Sequence, residues 1–404
     1  MKNEKLKHFS LLIEPTDLCN CNCIMCNRSK FPGFPLSRKL ISRDHQTARF
    51  MKIEVFRKLL SQIRDMTNYL CINEIYLHWF GEPFFHPEFL KLVELIVNDN
   101  MKYRLCKALT FHTNANLLDS EKIALFLKII RGIDFPFSVT FSLDAVTPST
   151  YKEIRRGGDF DLAVKNTKEL LRKGKSNPWL KFILQFIVME ENHHEAEPFV
   201  RYWSEFLDRE DMHYKISFNF VPADCQETHL IYLRQLDGGY KKPTQLKYNR
   251  IHQNTVKKFK DKIRTPVVSL ALNSKKEKIP QGIKYHGTKL DEQSFLCSNL
   301  WDSLAVTWDG SVTIICDQWL TLQLGNIRWM HLLYTYFSKR NLNALRRAHL
   351  LGILTTKHRD CKNCGIVLCE HNGNTHFREI EAFVEAERKY LTDLKKNPGL
   401  GRFV

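Results

Sequence analysis

Short apolar runs alternate with longer amphipathic segments through residues 10–220. The apolar runs predict six strands, over 11–15, 72–80, 108–113, 137–143, 180–188 and 215–221. Between them, apolar residues recur at helical spacing and predict helices over 51–63, 87–97, 119–130, 159–172 and 196–207, the third capped by Asp119 or Ser120. Strands and helices in this order predict an α/β fold with a parallel sheet. Right-handed crossovers curl such a sheet, and six units rather than eight predict a partial (β/α)6, TIM-like barrel.

The 404-residue chain is long enough for two domains with a substantial core. No apolar run approaches the roughly 18 residues that a membrane span needs. The basic start is followed by an apolar run too short for a signal peptide. Twelve cysteines in a chain of this length favour metal ligation in a reducing compartment. We therefore expect a cytoplasmic protein without a membrane partner.

The formal net charge of +17 is unevenly distributed. Residues 240–290 hold fourteen Lys or Arg and only two acids, a net charge of +12. Such a block can attract an anionic partner. The other interpretation is a solvated surface insert, which is the more common role of charge runs.

Three cysteines, Cys19, Cys23 and Cys26, follow the first predicted strand in a C-x3-C-x2-C spacing. Thiolates on one short loop can bind three irons of a four-iron cluster and leave the fourth iron without a protein ligand. A disulfide between such close neighbours is strained. Zinc more often takes two separated C-x2-C pairs. The spacing favours an iron–sulfur cluster, with zinc and chance as the alternatives.

This motif resembles that of the radical S-adenosylmethionine (radical SAM) superfamily, with Met25 where the family usually has an aromatic or large apolar residue. The resemblance implies that the open iron binds the amino and carboxyl groups of S-adenosylmethionine. One electron, from a flavodoxin- or ferredoxin-type donor, then cleaves it to a 5′-deoxyadenosyl radical. Cys21 lies outside the motif, and we interpret it as a bystander thiol.

Polar residues follow the next predicted strands, and chemistry in such barrels lies at these strand ends. Trp79-Phe80-Gly81-Glu82-Pro83 resembles the family's G-G-E-P segment, which holds the amino group of S-adenosylmethionine, although Phe80 replaces the first glycine. The alternative is a simple Gly-Pro turn. The resemblance further implies that Asn114 lies near the adenosyl group and that Ser142 and Asp144 face the ribose. It also implies that Arg155 pairs with the carboxylate of the cofactor.

The resemblance covers residues 10–220 and implies a core domain over 8–222. Residues 223–294 show no clear match, and we expect a basic linker or insertion over the barrel mouth. Cys71, Cys106 and Cys225 are interpreted as buried or bystander thiols. A second cysteine region follows over 295–380, and 381–404 form a C-terminal helix and tail.

The second cysteine set surrounds a predicted hairpin with an Asp-Gly turn at Asp309-Gly310. Cys297 precedes the hairpin and Cys316 ends it; Leu324-Gly325-Asn326-Ile327, a helical segment and Cys361-x2-Cys364 follow. These cysteines can converge on one metal. The layout resembles the twitch and SPASM auxiliary domains of radical SAM enzymes. It implies one auxiliary 4Fe-4S cluster on Cys297, Cys316, Cys361 and Cys364. A structural zinc site that draws on Cys369, His371 or His376 is the alternative.

The function that the resemblance implies is a radical SAM oxidoreductase or maturase. The 5′-deoxyadenosyl radical takes hydrogen from a substrate, and the auxiliary cluster helps to complete an oxidation or a bond formation. The basic block favours an anionic small molecule, such as a sugar or antibiotic precursor. A ribosomally made peptide is the alternative. Because the cysteine motif begins at residue 19, we expect no leader-peptide-binding domain ahead of it, which disfavours a peptide substrate.

A different class of function is a metal-stabilised nucleic-acid-binding or RNA-modifying protein, which would use the basic block and the C-x2-C pair. It predicts steeply salt-dependent binding. It does not explain the polar residues at successive strand ends, so we expect nucleic acid not to be the partner.

Overall fold

The computed structural model describes residues 6–26, 28, 49–219, 221–236, 242–264, 284–285, 288–289, 297–317, 322–350 and 377–400. Within these ranges the strands are β1 (Leu6–Ile13), β2 (Leu70–Tyr76), β3 (Ala108–Thr113), β4 (Phe137–Ser142), β5 (Leu180–Ile187), β6 (Tyr214–Ser217), β7 (His229–Arg234), β8 (Lys284–Tyr285), β9 (Thr288–Lys289), β10 (Ser303–Val306), β11 (Ser311–Thr313) and β12 (Gly325–Asn326). The α-helices are α1 (Ile53–Met66), α2 (Phe89–Tyr103), α3 (Ser120–Ile129), α4 (Pro148–Ile154), α5 (Phe160–Gly174), α6 (Ala196–Arg209), α7 (Lys242–Lys258), α8 (Leu332–Ser338), α9 (Arg340–Leu350) and α10 (Phe377–Lys396). None of these helices is long and apolar enough to cross a bilayer.

One sheet of ten strands organises the molecule, in the order β12-β11-β10-β1-β2-β3-β4-β5-β7-β6. Strands β1 to β7 run parallel to their neighbours, and β10 is parallel to β1. Strands β10, β11 and β12 pair antiparallel. The prediction of an α/β fold with an open, parallel sheet is confirmed. All seven core strands therefore direct their C-terminal ends to one edge, where parallel barrels carry their chemistry.

The predicted strands and helices follow the structure closely along the first half of the chain. Strand β3 has the predicted limits, and β4 and β5 differ from theirs by one residue at the C-terminal end. Helix α3 is capped by Asp119, whose side chain accepts a hydrogen bond from Lys122 N. Clear apolar periodicity between turn residues explains this agreement.

The segment 223–294 differs from the expected linker in its described part. It supplies β7, which inserts between β5 and the edge strand β6, and α7, which follows β7 as the next helix. Helix α7 packs against α6, since Asn254 Nδ2 donates to Glu197 Oε1 at 2.8 Å and Lys258 pairs with the same carboxylate. This part of the segment thus extends the core.

The two faces of the sheet differ in polarity. Residues of one parity, such as Phe111, Val139 and Leu184, are buried in the main hydrophobic cluster with the apolar faces of the helices. Residues of the other parity on β3 and β4 are polar, as Thr110 and Thr140 show. Successive strand residues point to opposite faces. The helices therefore cover an apolar outer face, and the curved inner face presents polar groups.

The C-terminal hairpin belongs to this same sheet. Leu304 on β10 pairs with Leu11 on β1 and is fully buried. Gly310 takes the left-handed conformation in the turn between β10 and β11, with φ +83°. Trp301, before β10, packs edge-on against Phe383 of α10 at 5.1 Å between ring centroids. The hairpin and the C-terminal helix therefore share one core with the parallel sheet.

Replacing Leu304 with Ala tests this shared core. We expect a loss of about 2–5 kcal/mol in the free energy of unfolding, because the truncation leaves a cavity beside β1. Unfolding by denaturant should remain a single transition. Leu246→Ala, at a side chain that is 61% exposed, is the control and should change stability by less than about 0.5 kcal/mol. An early, separate transition for the C-terminal region alone would contradict the shared core.

Candidate active site

Cys19, Cys23 and Cys26 lie on one loop after β1, at the C-terminal edge of the sheet. Backbone hydrogen bonds tie this loop to the segments that follow β2 and β4: Glu82 N to Leu18 O at 2.8 Å, Asn22 N to Arg156 O at 2.7 Å and Ile24 N to Ile154 O at 3.0 Å. Main-chain contacts therefore help to hold the loop at this edge.

Gly81 allows the segment after β2 to approach the cysteine loop. A Cβ atom here would lie 2.0 Å from the carbonyl oxygen of Thr16 and 2.7 Å from that of Leu18. Both distances are far below van der Waals contact, so a side chain would separate the two backbones. The structure shows that Gly81 admits the main chain of the cysteine loop.

Glu82 is the buried carboxylate of this segment. Its Oε1 accepts hydrogen bonds from Thr113 Oγ1 (2.6 Å) and Phe84 N (3.4 Å), and its Oε2 accepts one from Asn114 N (2.8 Å). A carboxylate has about four acceptor positions, so Oε2 can accept one further donor. Burial raises the pKa of Glu82 to about 7, although these hydrogen bonds oppose the shift. The neighbouring Pro83 begins a short 3-10 turn, Pro83–Phe85, that Glu82 caps.

Two side chains donate hydrogen bonds to the sulfur atoms. Asn114, directly after β3, places Nδ2 3.8 Å from Cys19 Sγ and 2.9 Å from Asn20 Oδ1. Arg155, at the end of α4, places Nη1 3.6 Å from Cys23 Sγ. Both donors are buried. The structure thus brings Asn114 and Arg155 together with the cysteines.

Asp144 lies fully buried beyond the end of β4, and both of its carboxylate oxygens are engaged. Oδ2 forms an ion pair with Arg155 Nη2, and Oδ1 accepts a hydrogen bond from Ile187 N at 2.7 Å. Each oxygen keeps a second acceptor position, so the contact of Asp144 with a ribose stays a prediction. Ser142, the last residue of β4, is half-buried and pairs in register with Gln185 on β5.

The thiols of the loop differ in acidity. A hydrogen bond from Cys21, followed by the charge of Arg155, lowers the pKa of Cys23 to about 6. The same Cys21 thiol lowers the pKa of Cys19. Burial raises the pKa of Cys26. Two of the three sulfur atoms are thus favoured as thiolates, the form that binds metal.

Cys21 has more contacts than a bystander would. It is buried, its N–H donates to Cys19 Sγ at 3.4 Å, and its thiol contacts Cys19 and Cys23. These contacts raise the pKa of Cys21 far above its usual value. The spacing alone held no signal for them, because Cys21 falls between the residues of the motif.

Three further residues shape the site without having been predicted. Arg28 donates from Nε to Asp17 O at 3.0 Å and from Nη1 to Cys21 O at 3.1 Å. Gly157 has φ +86°, and a Cβ there would lie 2.9 Å from Asn20 O. A Cβ at Gly158 would lie 3.1 Å from Cys21 Sγ. The paired glycines after Arg155 were the available signal, since paired glycines often mark a close backbone approach.

The inner face of the sheet below the cysteine loop is polar and partly accessible. The rings of His78 and His112 stack with their centroids 3.8 Å apart. The ring of Tyr76 packs edge-on against His78, with 5.8 Å between the ring centroids. Burial lowers the pKa of His78 to about 3, and burial with smaller effects of His78 and Arg234 lowers that of His112. Among the described residues, His78 Nδ1 and Thr140 Oγ1 have no hydrogen-bond partner. This face therefore offers neutral hydrogen-bonding groups to a molecule in the barrel.

Only part of the second cysteine set can be placed. Cys297 is buried before β10, and Cys316 is half-buried after β11. Because β10 and β11 are antiparallel, the segments that carry Cys297 and Cys316 both extend from the open end of the hairpin. Cys361, Cys364 and Cys369 lie outside the described residues, as do His371 and His376. The cysteines in the described ranges form no disulfide.

The donor set of the first loop fits a four-iron cluster. In the described part of the chain, no three or more His, Cys, Asp or Glu side chains surround the position of one metal ion. A cluster differs from a single ion in taking one thiolate at each iron. The loop meets that requirement with three thiols, of which Cys19 and Cys23 have a lowered pKa. Two side chains also donate hydrogen bonds to sulfur atoms of the loop.

Comparisons with known proteins agree with this geometry. The family model described as "Radical SAM superfamily" matches residues 13–202, which include the first cysteine loop and the side chains that contact it. No curated protein matches the sequence.

Two of the similar solved structures, those with TM-scores above 0.5, share the fold over almost the whole chain. "Native anSMEcpe with bound AdoMet" superposes with a TM-score of 0.53 at 19% identity and covers 96% of this chain and 99% of that chain. "Native anSMEcpe with bound AdoMet and Kp18Cys peptide" gives 0.53 at 18% identity, with the same coverage. "Crystal structure of BtrN in complex with AdoMet and 2-DOIA" gives 0.40 at 14% identity, covering 89% and 93%.

Gly81→Ala should disrupt the site more than the fold. The added Cβ would press on two carbonyl oxygens of the cysteine loop, and overpacking of this kind costs about 1–3 kcal/mol. We expect the variant to bind clearly less iron than the parent after anaerobic reconstitution.

Gly132→Ala is the matched control. Gly132 has φ +78° and no heavy atom within 4 Å of a built Cβ, so alanine costs about 1–2 kcal/mol through backbone strain alone. Its iron content should equal that of the parent. Equal iron content in the Gly81 variant would show that the close approach is not needed for metal binding.

Proposed function

Since residues 13–202 of this chain belong to the radical SAM superfamily, we propose that Cys19, Cys23 and Cys26 bind a 4Fe-4S cluster in a radical SAM enzyme. When bound, such a cluster supplies the electron that cleaves S-adenosylmethionine to a 5′-deoxyadenosyl radical, which abstracts hydrogen from a substrate. The observation that carries the proposal is the pair of hydrogen bonds from Asn114 and Arg155 to two sulfur atoms of the loop. Hydrogen bonds to ligand sulfurs are a principal means by which proteins tune such clusters.

The residues around the loop match the charges of S-adenosylmethionine. The unused acceptor position of Glu82 suits the amino group. The Nε of Arg155 is buried without a partner among the described residues, and it suits the carboxylate. The half-buried Ser142 offers a hydroxyl to the ribose. Asp144 also holds Arg155 in place, and its remaining acceptor positions suit the ribose as well.

We place the auxiliary 4Fe-4S cluster on Cys297, Cys316, Cys361 and Cys364. The described hairpin supports this placement, because its open end brings the segments with Cys297 and Cys316 side by side. That end lies beside Ser10 of β1, ahead of the end of this strand at Ile13, whereas Cys19 follows that end. The separation favours an electron-transfer role over a contact with S-adenosylmethionine. A flavodoxin- or ferredoxin-type protein would serve as the external electron donor.

The substrate that the inner face suits best is a polar small molecule. His78, His112 and Tyr76 offer uncharged donors and acceptors, and Arg234 adds a positive charge nearby. An anionic sugar-like or antibiotic precursor fits these groups, and the reaction would be its oxidation or cross-linking. The second candidate is a peptide, since structures of the same fold hold a bound peptide.

The described part of the basic segment gives little support to a nucleic-acid function. On α7, Lys247 pairs with Glu190 and Lys258 pairs with Glu197. These surface ion pairs neutralise part of the positive charge, so less of it remains to attract phosphates.

Metal content after anaerobic reconstitution tests the proposal. We expect about eight irons and eight acid-labile sulfides per chain, because each of two clusters contains four of each. Replacing Cys19, Cys23 and Cys26 together with Ala should leave about four irons and abolish release of 5′-deoxyadenosine from S-adenosylmethionine.

Cys71→Ser, at a half-buried thiol on β2, is the control and should match the parent. Equal iron in the parent and the triple variant would refute the assignment of the first cluster. About four irons that fall to near zero in the triple variant would refute the second cluster.

The raised pKa of Glu82 predicts a pH dependence. Protonation of Glu82 removes a charged acceptor for the N–H groups of the amino group of S-adenosylmethionine. With the pKa of Glu82 at about 7, affinity for S-adenosylmethionine should fall about fivefold between pH 7 and pH 6. Glu82→Gln should bind weakly at both pH values. Anaerobic equilibrium dialysis measures this, and a parent affinity equal at both values would contradict the role of Glu82.

A further inference from the structure

Arg155 makes a second interaction that cofactor binding does not require. Its side chain is buried, with Nη2 paired to Asp144 and Nη1 lying 3.6 Å from Cys23 Sγ. A positive charge this close to a cysteine sulfur acts on any negative charge placed there. Because the surroundings are shielded from water, the interaction is stronger than it would be at the surface.

Asp144 is held too firmly to move away from this position. It has φ +60°, a left-handed conformation that costs a non-glycine residue about 1–2 kcal/mol. Asn192 Nδ2 donates to its carbonyl oxygen at 2.9 Å, and Ile187 N donates to its carboxylate at 2.7 Å. The surrounding hydrogen bonds therefore stabilise a strained backbone that presents the carboxylate to Arg155. Strain of this kind is concentrated at functional positions.

The two charges act on Cys23 with opposite signs. Arg155 Nη1 lies 3.6 Å from Cys23 Sγ, and the carboxylate of Asp144 pairs with Nη2 of the same guanidinium. The thiolate is a negative charge on the sulfur. An electron added to a cluster bound there is also negative charge near that sulfur, so the same two signs apply to its reduction.

We propose that the buried Asp144–Arg155 pair sets the reduction potential of the cluster on Cys19, Cys23 and Cys26, with Arg155 favouring reduction and Asp144 opposing it. This inference rests on the proposed cluster and adds to the role of Arg155 toward S-adenosylmethionine. Both residues act through Cys23, so they are positioning residues. The couple involves one electron, supplied by the external donor.

The test is the midpoint potential of the reconstituted full-length protein. Dithionite titration is followed by electron paramagnetic resonance, using the signal that changes when S-adenosylmethionine is added to a separate sample. Arg155→Met should shift the potential to more negative values, and Asp144→Asn should shift it to more positive values. Lys152→Met removes an exposed positive charge from α4 and should leave the potential unchanged.

Opposite shifts support the inference, since a merely structural disturbance gives no reason for opposite signs. Shifts in the same direction, or none, overturn it while the cluster itself is still present. If Arg155→Met loses its cluster, two milder variants test the inference about the reduction potential. Arg155→Lys keeps the positive charge, and Asp144→Asn keeps the shape of the side chain. A parent protein without iron would overturn the proposed function and this inference together.

Discussion

The contact of the cysteine loop with two glycine-containing segments is the constraint on which the site depends. Gly81 lets one segment lie against the main chain of Thr16 and Leu18, and Gly157 and Gly158 let another approach Asn20 and Cys21. Side chains at these glycines would separate the segments. The close approach brings Glu82 from one side and Arg155 from the other to the same three sulfur-bearing residues. Backbone packing therefore positions these side chains around the cysteines.

Much of the architecture could be predicted because parallel strands between helices leave a clear apolar pattern. Strand β3 and the Asp119 cap match the prediction, since each depends on local sequence. Strand β7 was missed because it enters the sheet out of chain order, between β5 and β6. Local patterning holds no information about such pairing, which is decided by tertiary contacts. The short β6, of four residues, was predicted too long for the same reason.

The site shows the same division between local and tertiary information. The cysteine spacing and Gly81-Glu82 were recognisable, because each is a contiguous motif. The pairing of Asp144 with Arg155, and the contacts of Cys21, depend on how separate loops meet, and spacing could not show them. Asp144, Arg155 and Cys21 together give the cysteines of the motif a charged and buried environment. Below it the inner face holds uncharged polar groups around His78 and His112.

The central claim is that the cluster on the first loop binds S-adenosylmethionine at its open iron. The most direct measurement is the electron paramagnetic resonance spectrum of the reduced, reconstituted protein before and after addition of S-adenosylmethionine. A changed signal that is absent from protein lacking Cys19, Cys23 and Cys26 is the predicted result, because coordination alters the electronic environment of the iron. A spectrum that S-adenosylmethionine leaves unchanged would contradict the claim.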